Sequence, residues 1–225
     1  MKDLSLRLKT IAAIVPVGAR ACDIGTDHGY LSIYLRQQYI AKTVIACDLN
    51  RKPLDTAKKN IEKLNADNIT LRLCDGLQGI KRDEIDTVII AGMGGNVISD
   101  ILSHCPFNLD DEITFILQPT TSAEVLREFL CKNGFEIISE TPVFENGKLY
   151  SVMLVRYSGV IAETDIGFYY IGKLDKRDPA GLKYIEKQEK RLLKASKATQ
   201  GIPEKQNDYI HFFKAYNYIK KFLSE

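Results

Sequence analysis

Three short apolar runs in the first third of the chain end in the same dipeptide: Cys22-Asp23, Cys47-Asp48 and Cys74-Asp75. Between them the periodicity changes. Ala19–Ile24, Thr43–Cys47 and Ile69–Leu73 read as strands, while Tyr30–Gln38 and Pro53–Leu64 carry apolar residues at helical steps. The alternation continues through strands at Asp86–Ala91 and Ile113–Leu117 and helices at Val97–Leu102 and Ser122–Lys132. A further amphipathic helix over residues 3–14 precedes it and stops before Pro16. Such a rhythm predicts an α/β, doubly wound, mainly parallel sheet covered by helices on both faces. After Gly134 the rhythm changes. Phe135–Phe144 and Leu149–Tyr157 flank Glu145-Asn146-Gly147-Lys148, and Asn-Gly there predicts a hairpin. The expected sheet therefore has seven strands and ends antiparallel.

The composition shifts near Ser158-Gly159. The chain has 31 Lys+Arg against 29 Asp+Glu, yet residues 160–225 hold 13 against 9. The preceding 159 residues are correspondingly slightly acidic. Helices are expected at Pro179–Ala198 and Glu204–Leu223, with a bend at Gly201-Ile202-Pro203. Tyr209, Phe212, Tyr216, Ile219 and Leu223 have the 3-4 spacing of a two-helix seam. The reading is two domains, 1–159 and 160–225, the second a coiled-coil-like helical hairpin. No run approaches the ~18 apolar residues of a membrane span. Met1-Lys2-Asp3 leads into a helical pattern, not a signal peptide. The five cysteines include no C-x-x-C pair, and Cys22, Cys47 and Cys74 read as buried thiols of a reducing compartment. His104 and His211 lack partners at ligand spacing, so no metal is expected.

Ligands of an open parallel sheet bind outside the carboxyl ends of its strands, where Asp23, Asp48 and Asp75 are expected to face one crevice. The first turn reads Asp23-Ile24-Gly25-Thr26-Asp27-His28-Gly29. The dinucleotide fingerprint G-x-G-x-x-G fails there at Asp27 and Tyr30, and a carboxylate at Asp27 would repel a pyrophosphate. The loop suits a ligand with a cationic group. Ala91-Gly92-Met93-Gly94-Gly95 after the fourth strand implies either close approach to a flat ligand or a tight turn.

These features resemble the cofactor site of class I S-adenosylmethionine-dependent methyltransferases, with their Rossmann-like sheet. Asp-Ile-Gly-Thr-Asp-His-Gly-Tyr-Leu at 23–31, Ala-Gly-Met-Gly-Gly at 91–95, Leu-Gln-Pro at 117–119 and Gly-Lys-Leu-Tyr at 147–150 narrow the match. Together with the helical tail they resemble the bacterial tRNA (adenine-22-N1)-methyltransferase (TrmK-like) family. Two departures are Ser32, where the pattern has Pro, and Thr120, where it has Asn. The resemblance implies that Asp23 and the Gly25, Thr26, His28 and Gly29 loop hold the methionine part of the cofactor. It implies ribose binding by Asp48 with Leu49 and Asn50, and adenine-side contacts by Asp75, Gly76 and Leu77. Gly92 and Met93 complete the cofactor set.

For the substrate, the resemblance points to Gly94, Gly95, Gln118 and Tyr150 around the target base, although Gln118 and Tyr150 could equally be core or rim. The fourth strand lacks the Asn/Asp-Pro-Pro-aromatic motif of amino-group methyltransferases, which speaks for a ring-nitrogen target. Adenine N1 has its own lone pair, so a carboxylate is needed only to stabilise charge developing on the ring. Asp27 is the candidate catalytic residue, with helix N-capping as the competing role. Lys183, Lys187, Lys190, Arg191 and Lys194 share one helix face, either as a solvated surface or as a phosphate-binding stripe that Arg7 and Lys9 extend. The expected protein is a cytoplasmic, monomeric tRNA methyltransferase using S-adenosyl-L-methionine, with no membrane or metal partner. Its rivals are a methyltransferase for another RNA, a small-molecule or protein methyltransferase, whose binding would show little salt dependence, and a non-catalytic RNA-binding module, which would not bind the cofactor.

Overall fold

Hydrophobic residues that alternate between two faces build the centre of the sheet. The computed structural model describes residues 4–107 and 109–225. Strands β1 (Ala19–Ile24), β2 (Ala41–Asp48), β3 (Ile69–Leu73), β4 (Thr87–Gly94) and β5 (Thr114–Thr121) run parallel. Strand β7 (Lys148–Tyr157) lies antiparallel between β5 and β6 (Phe135–Glu145), which gives the order β3-β2-β1-β4-β5-β7-β6. Val88, Ile90, Phe115 and Leu117 point into one core, Ile89 and Ile116 into the other. Both faces of β4 and β5 are therefore buried, as a parallel sheet requires. The hairpin turns through Asn146 (φ 50°) and Gly147 (φ 75°), the two positive φ values of a type I′ turn.

Helices α1 (Leu6–Ile14), α2 (Tyr30–Gln37) and α3 (Arg51–Lys63) cover one face. Helices α4 (Gly95–Ser103) and α5 (Ala123–Lys132) cover the other. Helix α1 starts later than its periodicity predicts because Ser5 caps it, accepting the Leu8 N–H at 3.4 Å. Asp3, where that helix was expected to begin, lies outside the described residues.

Three helices follow the sheet: α6 (Ile166–Ile171), α7 (Pro179–Thr199) and α8 (Gln206–Ser224). Sequence periodicity missed α6, which is less than two turns long. Asp178 caps α7 through the Ala180 and Gly181 N–H groups, at 2.7 and 2.9 Å, with Pro179 at its first position. The three helices share a core of Tyr170, Ile171, Leu174, Tyr184, Ile185, Leu192, Ala215 and Ile219. Of the predicted seam, Ile219 is fully buried, whereas Phe212, Tyr216 and Leu223 are half-buried. Tyr209 instead stacks on Phe213 at 5.5 Å. The buried stripe of α8 is wider than a two-helix seam because it also packs on α6, where Tyr218 lies across Gly167. No described helix is long and apolar enough to cross a membrane.

Candidate functional site

The strand order reverses between β1 and β4, which opens a crevice at the carboxyl edge of the sheet. Asp23, next to last in β1, does not open onto this crevice with the other two acids. It is buried, and its Oδ2 accepts hydrogen bonds from Thr26 Oγ1 (2.8 Å) and Ser32 Oγ (2.7 Å). Burial pushes its carboxyl pKa up, and the two hydroxyls pull against that shift. Ser32, a departure from the family pattern, is thus a fastening of the first loop. Thr26 is held from both sides, since its N–H also donates to the Cys47 carbonyl at 2.8 Å.

Beyond Thr26 the loop is open. Gly25 (φ 75°) lies under the Met93 side chain, and a Cβ on it would overlap Met93 Cε. Gly29 (φ 72°) is the N-cap of α2 and makes no side-chain cap. Asp27 therefore does not cap that helix. Its carboxylate is 84% exposed, with His28 Nε2 3.0 Å from Oδ1. His28 has φ 62°, and its carbonyl accepts the Asn60 side-chain amide at 2.9 Å. The loop holds an unusual backbone and leaves one carboxylate directed outward.

Asp48, at the end of β2, is half-buried. Its Oδ1 takes the Asn50 N–H at 2.7 Å, which leaves Oδ2 available. Leu49 and Asn50 beside it are exposed. Asp75 follows β3 and is exposed at a cavity of about 360 Å³ shared with Gly76, Gln78, Asp100, Ile101 and His104. Leu77 is buried, so its side chain belongs to the core and only its backbone can meet a ligand. Beneath these acids Cys22 and Cys47 lie 3.9 Å apart. The hydrogen bond from Cys22, together with burial, pushes the Cys47 pKa up, and burial pushes Cys74 up to about 12. The Cys47 and Cys74 thiols therefore stay protonated, and buried Cys22 and Cys47 serve as apolar filling. Among the described residues no group of three or more His, Cys, Asp or Glu could hold a metal ion.

The far side of the crevice is a hydrogen-bond network. Gln118 is fully buried, and its Oε1 accepts from the Gly92 N–H (3.2 Å) and from Arg7 Nη1 (2.5 Å). Its Nε2 donates to the Pro119 carbonyl at 2.7 Å. Gln118 thus orients the Gly92 turn. Arg7 arrives from α1 and sits over the Tyr150 ring at 5.9 Å, with its own N–H on Glu145 at 3.1 Å. The Thr120 hydroxyl donates to the Met93 carbonyl at 3.1 Å, so the second departure is also a fastening. Gly94 caps α4, while Gly95 has no room for a Cβ against the Ser122 carbonyl. That close packing by itself requires glycine at position 95.

On α7, Lys183, Lys187, Lys190, Arg191, Lys194 and Lys197 are all exposed on one face. Arg191 is committed to protein contacts: it pairs with Glu124 and lies over the Tyr170 ring at 5.6 Å. Sequence reasoning missed the pair beneath this face, Arg127 and Glu140, both with fully buried side chains. Arg127 Nη2 lies 2.7 Å from Glu140 Oε2 and Nε 3.0 Å from Oε1. Arg127 also donates to the Tyr169 and Tyr170 carbonyls, at 2.9 and 3.1 Å. Glu140 accepts from Ser151 Oγ (2.6 Å) and the Lys173 N–H (3.1 Å). Burial opposes the charge on Arg127, but Glu140 holds the guanidinium protonated. In sequence these two residues look like ordinary surface charges of a helix and a strand, so no local signal marks them.

A methyltransferase-domain family profile matches residues 4–153. A tRNA (adenine(22)-N(1))-methyltransferase of Bacillus subtilis is 40% identical over 153 residues, which cover 67% of this chain and 64% of that relative. The crystal structure of the B. subtilis m1A22 tRNA methyltransferase TrmK superposes with a TM-score of 0.87 at 28% identity, covering 98% of this chain and 99% of that one. M. capricolum TrmK, solved with the cofactor product S-adenosyl-homocysteine, gives 0.80 at 28% identity over 98% of each chain.

Proposed function

The chain belongs to the tRNA (adenine-22-N1)-methyltransferase family of methyltransferase domains, and on that premise we propose that it methylates N1 of an adenine in tRNA, at position 22. The observation that carries this reading is the pair of available carboxylates, Asp48 and Asp75, at adjacent strand ends beside a loop whose glycines have positive φ. S-adenosyl-L-methionine, when bound, would supply a sulfonium methyl group that a ring nitrogen can attack, with S-adenosyl-homocysteine as the leaving group.

The residues fit that cofactor. Asp48 Oδ2 is a free acceptor for a ribose hydroxyl, flanked by Leu49 and Asn50. Asp75, Gly76 and the Leu77 backbone line the cavity suited to the adenine end. Asp23, through Thr26, shapes the loop from Gly25 to Gly29 that receives the methionine part, under Gly92 and Met93. The acids favour a cation over a phosphate. Gln118 and Arg7 hold Gly92 in place, so that the base is offered in line and water is kept out. Asp27 faces outward where charge develops on the adenine and can accept a proton from its N6.

Residues 1–159 form the catalytic domain in this reading, and residues 160–225 carry the RNA stripe of α7. The protein works as a cytoplasmic monomer, which sedimentation of the purified chain would check. Methyl transfer from labelled cofactor into unmodified tRNA, followed by nucleoside analysis, tests the function. The expected product is 1-methyladenosine, and any other product overturns the assignment.

Two further outcomes are expected. Asp48→Ala weakens cofactor binding about tenfold or more, the value of a hydrogen bond to a charged acceptor. Calorimetry giving an unchanged Kd would remove Asp48 from the site. Replacing Lys190 and Lys194 with alanine weakens tRNA binding and lowers the slope of log K against log salt by about one per lost phosphate contact. An unaltered slope returns that face of α7 to a solvated surface.

A further inference from the structure

A groove of about 150 Å³ runs where the carboxyl end of β5 meets α7. Its walls are polar, with Thr120, Ser122, Tyr150, Lys187 and Gln188 among them. It adjoins the crevice through direct contacts. Thr120 bonds the Met93 carbonyl, Met93 lies over Gly25, and the Tyr150 ring lies beneath Arg7. The buried ion pair underlies the groove. Ser151 and Tyr184 both line it, and both are held by that pair: Ser151 by its bond to Glu140, Tyr184 by the Arg127 guanidinium 5.7 Å from its ring centroid.

The charges in the groove are unequal. Arg191 is neutralised by Glu124, and both residues line it. Lys187 has no acidic partner among the described residues. Gln188 is 8% exposed and accepts Arg191 Nη1 at 3.3 Å, while its amide nitrogen has no protein acceptor among the described residues. The two aromatic rings of the groove are already covered, Tyr150 by Arg7 and Tyr184 by Arg127, so a lysine without an acidic partner among the described residues, hydroxyls and a spare amide donor suit a sugar-phosphate better than a stacked base.

We propose that this groove is a second RNA subsite, holding the ribose-phosphate of a nucleotide next to the target adenine, with Lys187 on the phosphate and Gln188 on the ribose. The inference rests on the tRNA-methyltransferase reading above. It separates Lys187 from the lysines farther along α7. Those act on affinity, whereas Lys187 positions the base for transfer.

The test is single-turnover methyl transfer with tRNA and S-adenosyl-L-methionine both saturating. Lys187→Ala and Gln188→Ala each lower the rate about tenfold, the loss of one charge-assisted or buried hydrogen bond. Lys187→Arg restores most of it. Cofactor affinity by calorimetry stays at its original value. A Lys187→Ala protein that reaches the unaltered rate at saturating tRNA overturns the subsite, because its role is then affinity alone. If the unaltered protein transfers no methyl group to tRNA, the parent reading fails and the subsite with it.

Discussion

Glu140→Ala is expected to lower the unfolding free energy by about 3–5 kcal/mol, because it leaves the Arg127 guanidinium buried without its counter-charge. In a chain of this size that is a fall in Tm on the order of 10 °C. Ser151 Oγ and the Lys173 N–H lose their acceptor at the same time. Many buried ion pairs can be exchanged for apolar residues at little cost. This one should not be, since Arg127→Met with Glu140→Leu also strands the Tyr169 and Tyr170 carbonyls. Gly172 closes the same knot: at φ 58° it has no space for a Cβ against Glu140 and Arg127. Urea unfolding followed by circular dichroism measures the effect. A loss below about 1 kcal/mol for Glu140→Ala would mean that water or relaxation relieves the buried charge.

Asp27→Asn is expected to slow methyl transfer about a hundredfold while changing cofactor affinity little. The substitution keeps shape and hydrogen bonding but removes the charge that would stabilise the ring as it turns cationic. The helix-capping role is unavailable to Asp27, because Gly29 occupies the cap of α2 without side-chain help. A stability loss is therefore not expected. Single-turnover rates and calorimetric Kd values separate the possibilities. Equal losses in both would make Asp27 a binding residue, and no loss in either would leave it a spectator on an exposed loop.

Much of the fold was legible because burial imposes period. Ala19–Ile24 and Ile69–Leu73 form strands at their predicted bounds, and Asn146-Gly147 turns the hairpin where the dipeptide says. Ends were less legible. Strand β5 runs on to Thr121 because Thr114–Thr121 pairs with β4 beyond Leu117, a contact made by residues distant in sequence. Helix α6 escaped notice because fewer than two turns cannot display a helical period. At the site, the sequence pointed to all three strand-end acids but could not distinguish them. Asp23 turns inward to Thr26 and Ser32, while Asp48 and Asp75 remain available.

Residue spacing alone was enough for the doubly wound sheet, its carboxyl-edge loops and the basic face of α7, because each follows from local backbone preference and the period of apolar residues. Tertiary structure decided which polar groups are already satisfied. Gln118 is bonded to Gly92, Arg7 and Pro119, Arg191 is paired with Glu124, and Lys187 has no acidic partner among the described residues. It also brought Arg127 and Glu140, 13 residues apart in the chain, into one fully buried pair that ties α5, β6 and α6 together. A hydrogen bond's partner is set by where the chain returns in space, and no local pattern records that.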